Sequence, residues 1–170
     1  MSTDNQVCDM DTKLMREAIA IADLSAEHGN QPFGALLATK DGQVLLISEN
    51  KELTKDKTCH AEQNLVRQIY KEEFTEQELR EMTLYTSTEP CIMCTGSIDK
   101  SKVGRVVYGC SATKMRTAIC PSGCQSGKKS RKITCREIFE ENPNITLVGP
   151  FLEDEAFVSH QNYNWPQKLK

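Results

Sequence analysis

Two short stretches carry the residue types able to do chemistry together. They are His60-Ala61-Glu62 and, about thirty residues downstream, Pro90-Cys91-Ile92-Met93-Cys94. A Cys-x-x-Cys pair at a helix start aims two soft sulfurs at one cation, because positions i and i+3 share a face. Alone, such a pair is equally the mark of redox thiols or of half a zinc ribbon. The added histidine and glutamate shift that balance. His60, Cys91 and Cys94 make three protein ligands for a tetrahedral zinc and leave the fourth position to water, as catalytic sites do. Glu62 is then free to move protons instead of binding metal. The competing reading is a structural zinc or a set of buried thiols. A structural site needs a fourth protein ligand, and Cys59, the nearest in sequence, is poorly placed to share an ion with its neighbour His60.

The elements that must position these groups follow from apolar spacing and turn residues. Residues 1–10 are expected to be a loose lead-in. Asp11 or Thr12 caps a helix with Leu14, Ala18, Ile21, Ala22 and Leu24 on its apolar side, ended by Gly29. Pro32-Phe33-Gly34 leads into strands 35–39 and 44–48, joined by the Asp41-Gly42 turn. A charged loop reaches His60, and helices are expected at 61–71 and 76–81. Strand 83–87 ends where the second ligand segment begins, and the next helix stops near Lys102. Strand 105–109, a long loop at 111–130, helix 133–141, strand 145–148 and helix 153–160 complete the pattern. Pro90 suits the first turn of a helix and so places Cys91 at its start, where free N–H groups and the helix dipole favour a thiolate. Strands alternating with helices after a hairpin imply one α/β domain over 1–170, with helices on both faces of a mixed sheet. Residues 150–170 are its closing segment.

Composition bounds the partners. The chain has 170 residues, 38% hydrophobic and 26% charged, with a formal net charge of −3. That is an ordinary globular composition with no electrostatic pull towards a polyanion. The first residues are polar and no apolar run approaches membrane-spanning length, so no membrane association and a cytoplasmic location are expected. Eight cysteines without a visible secretory signal point to metal binding or free thiols before disulfides.

The ligand stretches and the segments Pro32-Phe33-Gly34-Ala35, Asn50, Leu84-Tyr85-Thr86-Ser87-Thr88-Glu89 and Val106-Val107-Tyr108-Gly109 together resemble the cytidine/deoxycytidylate deaminase superfamily. The H-x-E … P-C-x-x-C pattern is that of its zinc-dependent members. The resemblance runs from about residue 12 to 110, more loosely to 165, and points to the branch of cytosine, guanine and tRNA adenosine deaminases. It implies a three-layer α/β/α fold around a five-stranded mixed sheet, a zinc cofactor and a homodimer. It also implies hydrolytic removal of an exocyclic amine as ammonia, with zinc-activated hydroxide as nucleophile and Glu62 as proton shuttle.

By the same resemblance Asn50 hydrogen-bonds the substrate ring, although an asparagine there also suits a turn or cap. Phe33 stacks on the base or else belongs to the core. Thr86, Ser87 and Glu89 line the pocket through backbone groups, or are ordinary strand-end residues. Trp165, clustered with His160 and Tyr163, closes over the base or merely packs the last helix. Cys120 and Cys124 read as loop thiols, and 128–132 as a solvated basic run.

The expected function is deamination of a small nucleobase or nucleoside of the cytosine, isocytosine or guanine type. One alternative is tRNA-specific adenosine deamination, which needs a basic surface beyond the pocket. The acidic Glu153-Asp154-Glu155 argues against it, and the basic run argues for it. The other alternative is a non-catalytic, zinc-stabilised binding subunit, against which Glu62 speaks.

Overall fold

The first helix shows how local chemistry sets an element's ends. A computed structural model describes residues 7–120 and 133–166. Helix α1 spans Asp9–Glu27, and Asp11 Oδ2 accepts the Cys8 N–H at 2.9 Å. Asp11 therefore sits inside the first turn instead of capping it, and the expected lead-in of 1–10 is cut short at Cys8. Gly29, at φ 82°, turns the chain after α1 in the left-handed conformation that glycine adopts most readily. The buried stripe is Leu14, Met15, Ala18, Ala22 and Ser25. Leu24, expected on that face, lies on its flank and is 47% exposed.

Strands β1 (Gly34–Ala38) and β2 (Val44–Glu49) form the expected hairpin, with Gly42 at φ 86° in its turn. Then follow α2 (Ala61–Ile69), α3 (Glu76–Glu81), β3 (Thr83–Thr88), α4 (Ile92–Ser101) and β4 (Arg105–Cys110). The chain continues through α5 (Ala112–Ile119), α6 (Cys135–Glu140), β5 (Thr146–Val148) and α7 (Glu153–Asn162). The sheet order is β2-β1-β3-β4-β5. β1 runs antiparallel to β2 and β3, whereas β3, β4 and β5 are parallel, as helical crossovers require.

Alternation along the central strands divides two apolar clusters. Ala35, Leu37, Leu84, Val106 and Tyr108 pack against α2, α4 and α6. Leu36, Ala38, Tyr85 and Val107 pack against α1, with Val148 and Phe151 joining them. Helix α7 covers β4 on this second face, and α5 rests on α7. The expected three-layer α/β/α architecture with a mixed five-stranded sheet is therefore the observed one. Gly34 matters here, because a Cβ would stand 2.5 Å from both Ala18 O and Ala22 N. Only glycine lets β1 press this closely on α1.

One expectation is corrected within 111–130. Ala112–Ile119 is helix α5, not loop, because three partners satisfy its first N–H groups. Ser111 Oγ accepts from Lys114 N at 3.2 Å, Glu89 Oε2 from Ala112 N at 2.9 Å, and Glu153 Oε1 from Ser111 N at 3.0 Å. Two of those partners are remote in sequence. Cys124 and the basic run 128–132 fall outside the described residues. Among those described, no helix is long and apolar enough to cross a membrane.

Towards the strand ends away from the ligand segments, Asp11 ties three elements together. It is 2% exposed and accepts from Tyr85 Oη at 2.6 Å and from Arg105 Nη1 and Nη2 at 2.6 and 3.2 Å. Burial alone would raise its pKa. The Arg105 guanidinium, the Tyr85 hydroxyl and the Cys8 N–H outweigh burial and hold it at about 2. A carboxyl depressed this far stabilises the fold by about 2 kcal/mol above its unfolded pKa, and that contribution vanishes as pH falls through its folded value. Urea unfolding of wild type and Asp11→Asn should thus differ most at neutral pH, with the gap shrinking between about pH 4 and 2. A gap independent of pH would show that the network is not ionic.

Candidate active site

Both ligand segments begin helices at the same end of the sheet. His60 is the N-cap of α2 and Cys91 the N-cap of α4, each with extended backbone. Cys94 lies one turn inside α4. Gln63 fixes the two helices to each other, donating from Nε2 to Ser97 Oγ at 2.6 Å and to Met93 O at 3.3 Å. Asn64 Nδ2 donates to Glu49 O and Cys59 O, which moors α2 to the end of β2.

This framing brings His60 Nδ1 to 3.6 Å from Cys91 Sγ and 3.5 Å from Cys94 Sγ, with the sulfurs 3.6 Å apart. Zinc bonds of about 2.3 Å to sulfur and about 2.0 Å to nitrogen, at tetrahedral angles, put S···S near 3.8 Å and S···N near 3.6 Å. The donor set therefore fits a zinc ion. Cys59 is not part of it. Its thiol donates to Asp56 Oδ2 at 3.1 Å and meets Arg67 Nη1 at 3.7 Å.

The electrostatics match a cation-binding site. Contact with the Cys94 sulfur pushes the Cys91 thiol down, and His60 adds to this against the opposing effect of burial, to about 4. Contact with Cys91 and burial push Cys94 up. The Cys91 contact also raises the His60 pKa. Glu62 is buried beside them, and the Cys94 thiol reaches its Oε2 at 3.5 Å. Desolvation first, and the Cys91 charge second, raise Glu62 to about 7. Crowded negative groups in a dry site are what a divalent ion offsets.

The remaining expected site residues divide into two sets. Asn50 is 1% exposed; its backbone N–H donates to Phe33 O at 3.0 Å, and its Oδ1 is buried with no hydrogen-bond partner among the described residues. The rings of Phe33, His160 and Trp165 form a triangle, with centroids 5.3 Å apart for Phe33 and His160, 6.3 Å for Phe33 and Trp165, and 6.0 Å for His160 and Trp165. Tyr163 meets Trp165 edge-on at 4.8 Å and lies within electrostatic reach of Glu52, whose Oε2 is 3.7 Å from His60 Nε2. The C-terminal aromatics thus adjoin the metal ligands.

The side chains of Thr86, Ser87 and Glu89 face other tasks. Thr86 Oγ1 donates to Thr88 O, Ser87 Oγ accepts from Gly34 N, and Glu89 holds α5 and meets Cys135 Sγ at 3.6 Å. What they offer a ligand is backbone. His160 enters through its cluster with Trp165, whereas Glu52, a glutamate in a charged loop, carries no spacing signal.

Comparison with known proteins agrees with this geometry. The profile of the family described as "Cytidine and deoxycytidylate deaminase zinc-binding region" matches residues 9–110. A probable cytosine deaminase of Schizosaccharomyces pombe is 32% identical over 163 residues, covering 95% of this chain and 96% of that one. A tRNA-specific adenosine deaminase of Buchnera aphidicola is 29% identical over 160 residues, covering 92% and 96%. Among solved structures, a guanine deaminase from Nitrosomonas europaea superposes with a TM-score of 0.73 at 19% identity, covering 93% of this chain and 85% of that one. This last likeness speaks to the fold.

The donor geometry makes a direct prediction. Cys91→Ser and Cys94→Ser should each take bound zinc from one ion per chain to near none after dialysis against a weak chelator. Cys59→Ser should retain it, as measured by elemental analysis. Loss of zinc in Cys59→Ser would make that sulfur a fourth ligand and the site a structural one. With its His/Cys/Cys donor set, buried glutamate, matched zinc-binding region and near full-length relatives, the chain belongs to the cytidine and deoxycytidylate deaminase superfamily.

Proposed function

We propose that the protein hydrolytically removes an exocyclic amine, as ammonia, from a small nucleobase or nucleoside of the cytosine, isocytosine or guanine type. The observation that carries this reading is Glu62, a carboxylate buried against the donor set with the Cys94 thiol 3.5 Å from its Oε2. A carboxylate in that position would be wasted in a structural site, where the metal needs only its ligands.

His60 Nδ1, Cys91 Sγ and Cys94 Sγ would hold the zinc, which when bound supplies a Lewis acid able to activate water near neutral pH. The chain's own residues do the rest. The starts of α2 and α4 fix the donors. Glu62, freed from metal binding, carries one proton of the attacking water to a ring nitrogen and the other to the departing amine as the carbonyl forms and the carbon–nitrogen bond breaks. Phe33, His160 and Trp165 supply an apolar wall for a planar ring, and Asn50 a buried polar atom to orient it.

The near full-length relative named a probable cytosine deaminase supports a small substrate. The relative named a tRNA-specific adenosine deaminase keeps a nucleic acid in the test. The acidic run of α7 does not weigh against it as its sequence suggested. Glu155 pairs with Arg16, Asp154 with Lys114, and Glu153 with Lys114 and the Ser111 N–H. These pairs lie at the surface, where each cation offsets part of the acidic charge locally.

Ammonia release from a panel of amino-substituted bases, nucleosides and an anticodon stem-loop tests the proposal. Zinc-loaded wild type should act on a base. Glu62→Gln should keep its zinc while kcat falls by about 10²–10⁴-fold. Comparable turnover by that variant would remove Glu62 from the proton path. Activity confined to the stem-loop, falling steeply with salt, would move the substrate to RNA.

A further inference from the structure

A cavity of about 440 Å³ lies at the open edge of the sheet, beyond β2 and between α1 and α2. None of His60, Glu62, Cys91 and Cys94 lines it, although Glu49 and Cys59 in its wall directly precede Asn50 and His60. The wall gathers four fixed cations, Lys51, Lys55, Arg67 and Lys71, against one carboxylate, Glu49. In a chain of net charge −3, such an excess in one hollow is a local feature that composition does not explain.

The single carboxylate is already engaged. His28 Nδ1 lies 2.7 Å from Glu49 Oε2, and Lys51 Nζ lies 3.5 Å from its Oε1. Lys55 and Lys71 have no carboxylate partner among the described residues. Arg67 is held in place by neutral groups. Its Nη1 donates to Asn64 Oδ1 at 3.2 Å and meets Cys59 Sγ at 3.7 Å, and its Nη2 donates to Thr58 Oγ1 at 3.0 Å. Asp56 is within its electrostatic reach, but that carboxylate accepts from the Thr58 N–H, the Thr58 hydroxyl and the Cys59 thiol. An oriented guanidinium beside two unpaired lysines concentrates anions in a cleft. Next to the cations the wall is apolar. Ile21, Leu24 and Ile47 line it, and the last two are 47% and 59% exposed.

We propose that this cavity binds a small phosphate monoester, its head on Arg67, Lys55 and Lys71 and its apolar or planar body against Leu24 and Ile47. A phosphate monoester carries about two negative charges and three acceptor oxygens, which match several cations where a carboxylate matches one. The volume suits a small molecule. A nucleic acid is gripped along a stripe of cations, whereas these share one hollow with an apolar side. The site is separate from the metal donors and does not depend on the deaminase reading.

Isothermal titration calorimetry of the zinc-loaded protein with inorganic phosphate, phenyl phosphate and phenol tests this. Phenyl phosphate should saturate one site and bind roughly tenfold tighter than inorganic phosphate, with no measurable binding of phenol. Arg67→Gln should weaken phenyl phosphate by roughly tenfold or more, and Lys71→Gln should weaken it in the same direction. Ile47→Ser should remove the advantage over inorganic phosphate and leave inorganic phosphate unchanged. Zinc content and thermal unfolding should show each variant folded and loaded. Binding that survives both Arg67→Gln and Lys71→Gln but disappears in Cys91→Ser places the phosphate on the metal and overturns the proposal. Absence of saturation by phenyl phosphate at millimolar concentration overturns it too. So does binding confined to an RNA stem-loop and falling steeply with salt. Ammonia release is not the readout, so each of these failures leaves the deaminase reading standing.

Discussion

Two helices must begin side by side with their first residues turned inward, so that two sulfurs, an imidazole and a carboxylate occupy one small dry volume. This crowding is electrostatically uphill. Desolvation raises Glu62, and Cys91 and Cys94 shift in opposite directions because the pair cannot comfortably carry two negative charges. A divalent ion reverses the sign of the problem, since thiolates that repel one another become ligands that share a charge. The rest of the molecule serves to keep these groups together until that happens. Gln63 bridges α2 to α4, Asn64 fixes α2 to β2, and Gly34 lets β1 lie close enough to α1 to carry Phe33 to the site.

The end of the chain packs beside β3, the strand that leads into Pro90 and Cys91. Helix α7 is held by pairs reaching α1 and α5, and its last turn sets His160 against Thr88 and Phe33. Trp165 then folds back, its Nε1 donating to His160 O at 2.9 Å. The rings gathered here come from both ends of the chain, Phe33 from one and His160 and Trp165 from the other. The acidic first turn of α7 illustrates why net charge is a poor guide to partners. Glu153, Asp154 and Glu155 favour a helix N-terminus and pair at the surface with Lys114 and Arg16, which offset part of their charge.

What could be read without coordinates was whatever depends on short-range spacing. His60, Glu62, Cys91 and Cys94 were legible because ligand geometry on a helix start is local, with Glu62 two positions after His60 and Cys94 three positions after Cys91. The strands and their order of appearance followed from apolar alternation and the Asp41-Gly42 turn, whereas the Thr75–Glu78 capping box that bounds helix 76–81 shows in the structure. Tertiary contacts decided the rest. Helix α5 exists because Glu89 and Glu153, far away in sequence, accept its first N–H groups. The Glu89 side chain therefore stabilises a helix, a task that its place at a strand end did not announce. That Asn50 Oδ1 is buried without a partner among the described residues could not be foreseen either, since whether a buried polar group has a partner is a property of three-dimensional neighbours and not of the chain around it.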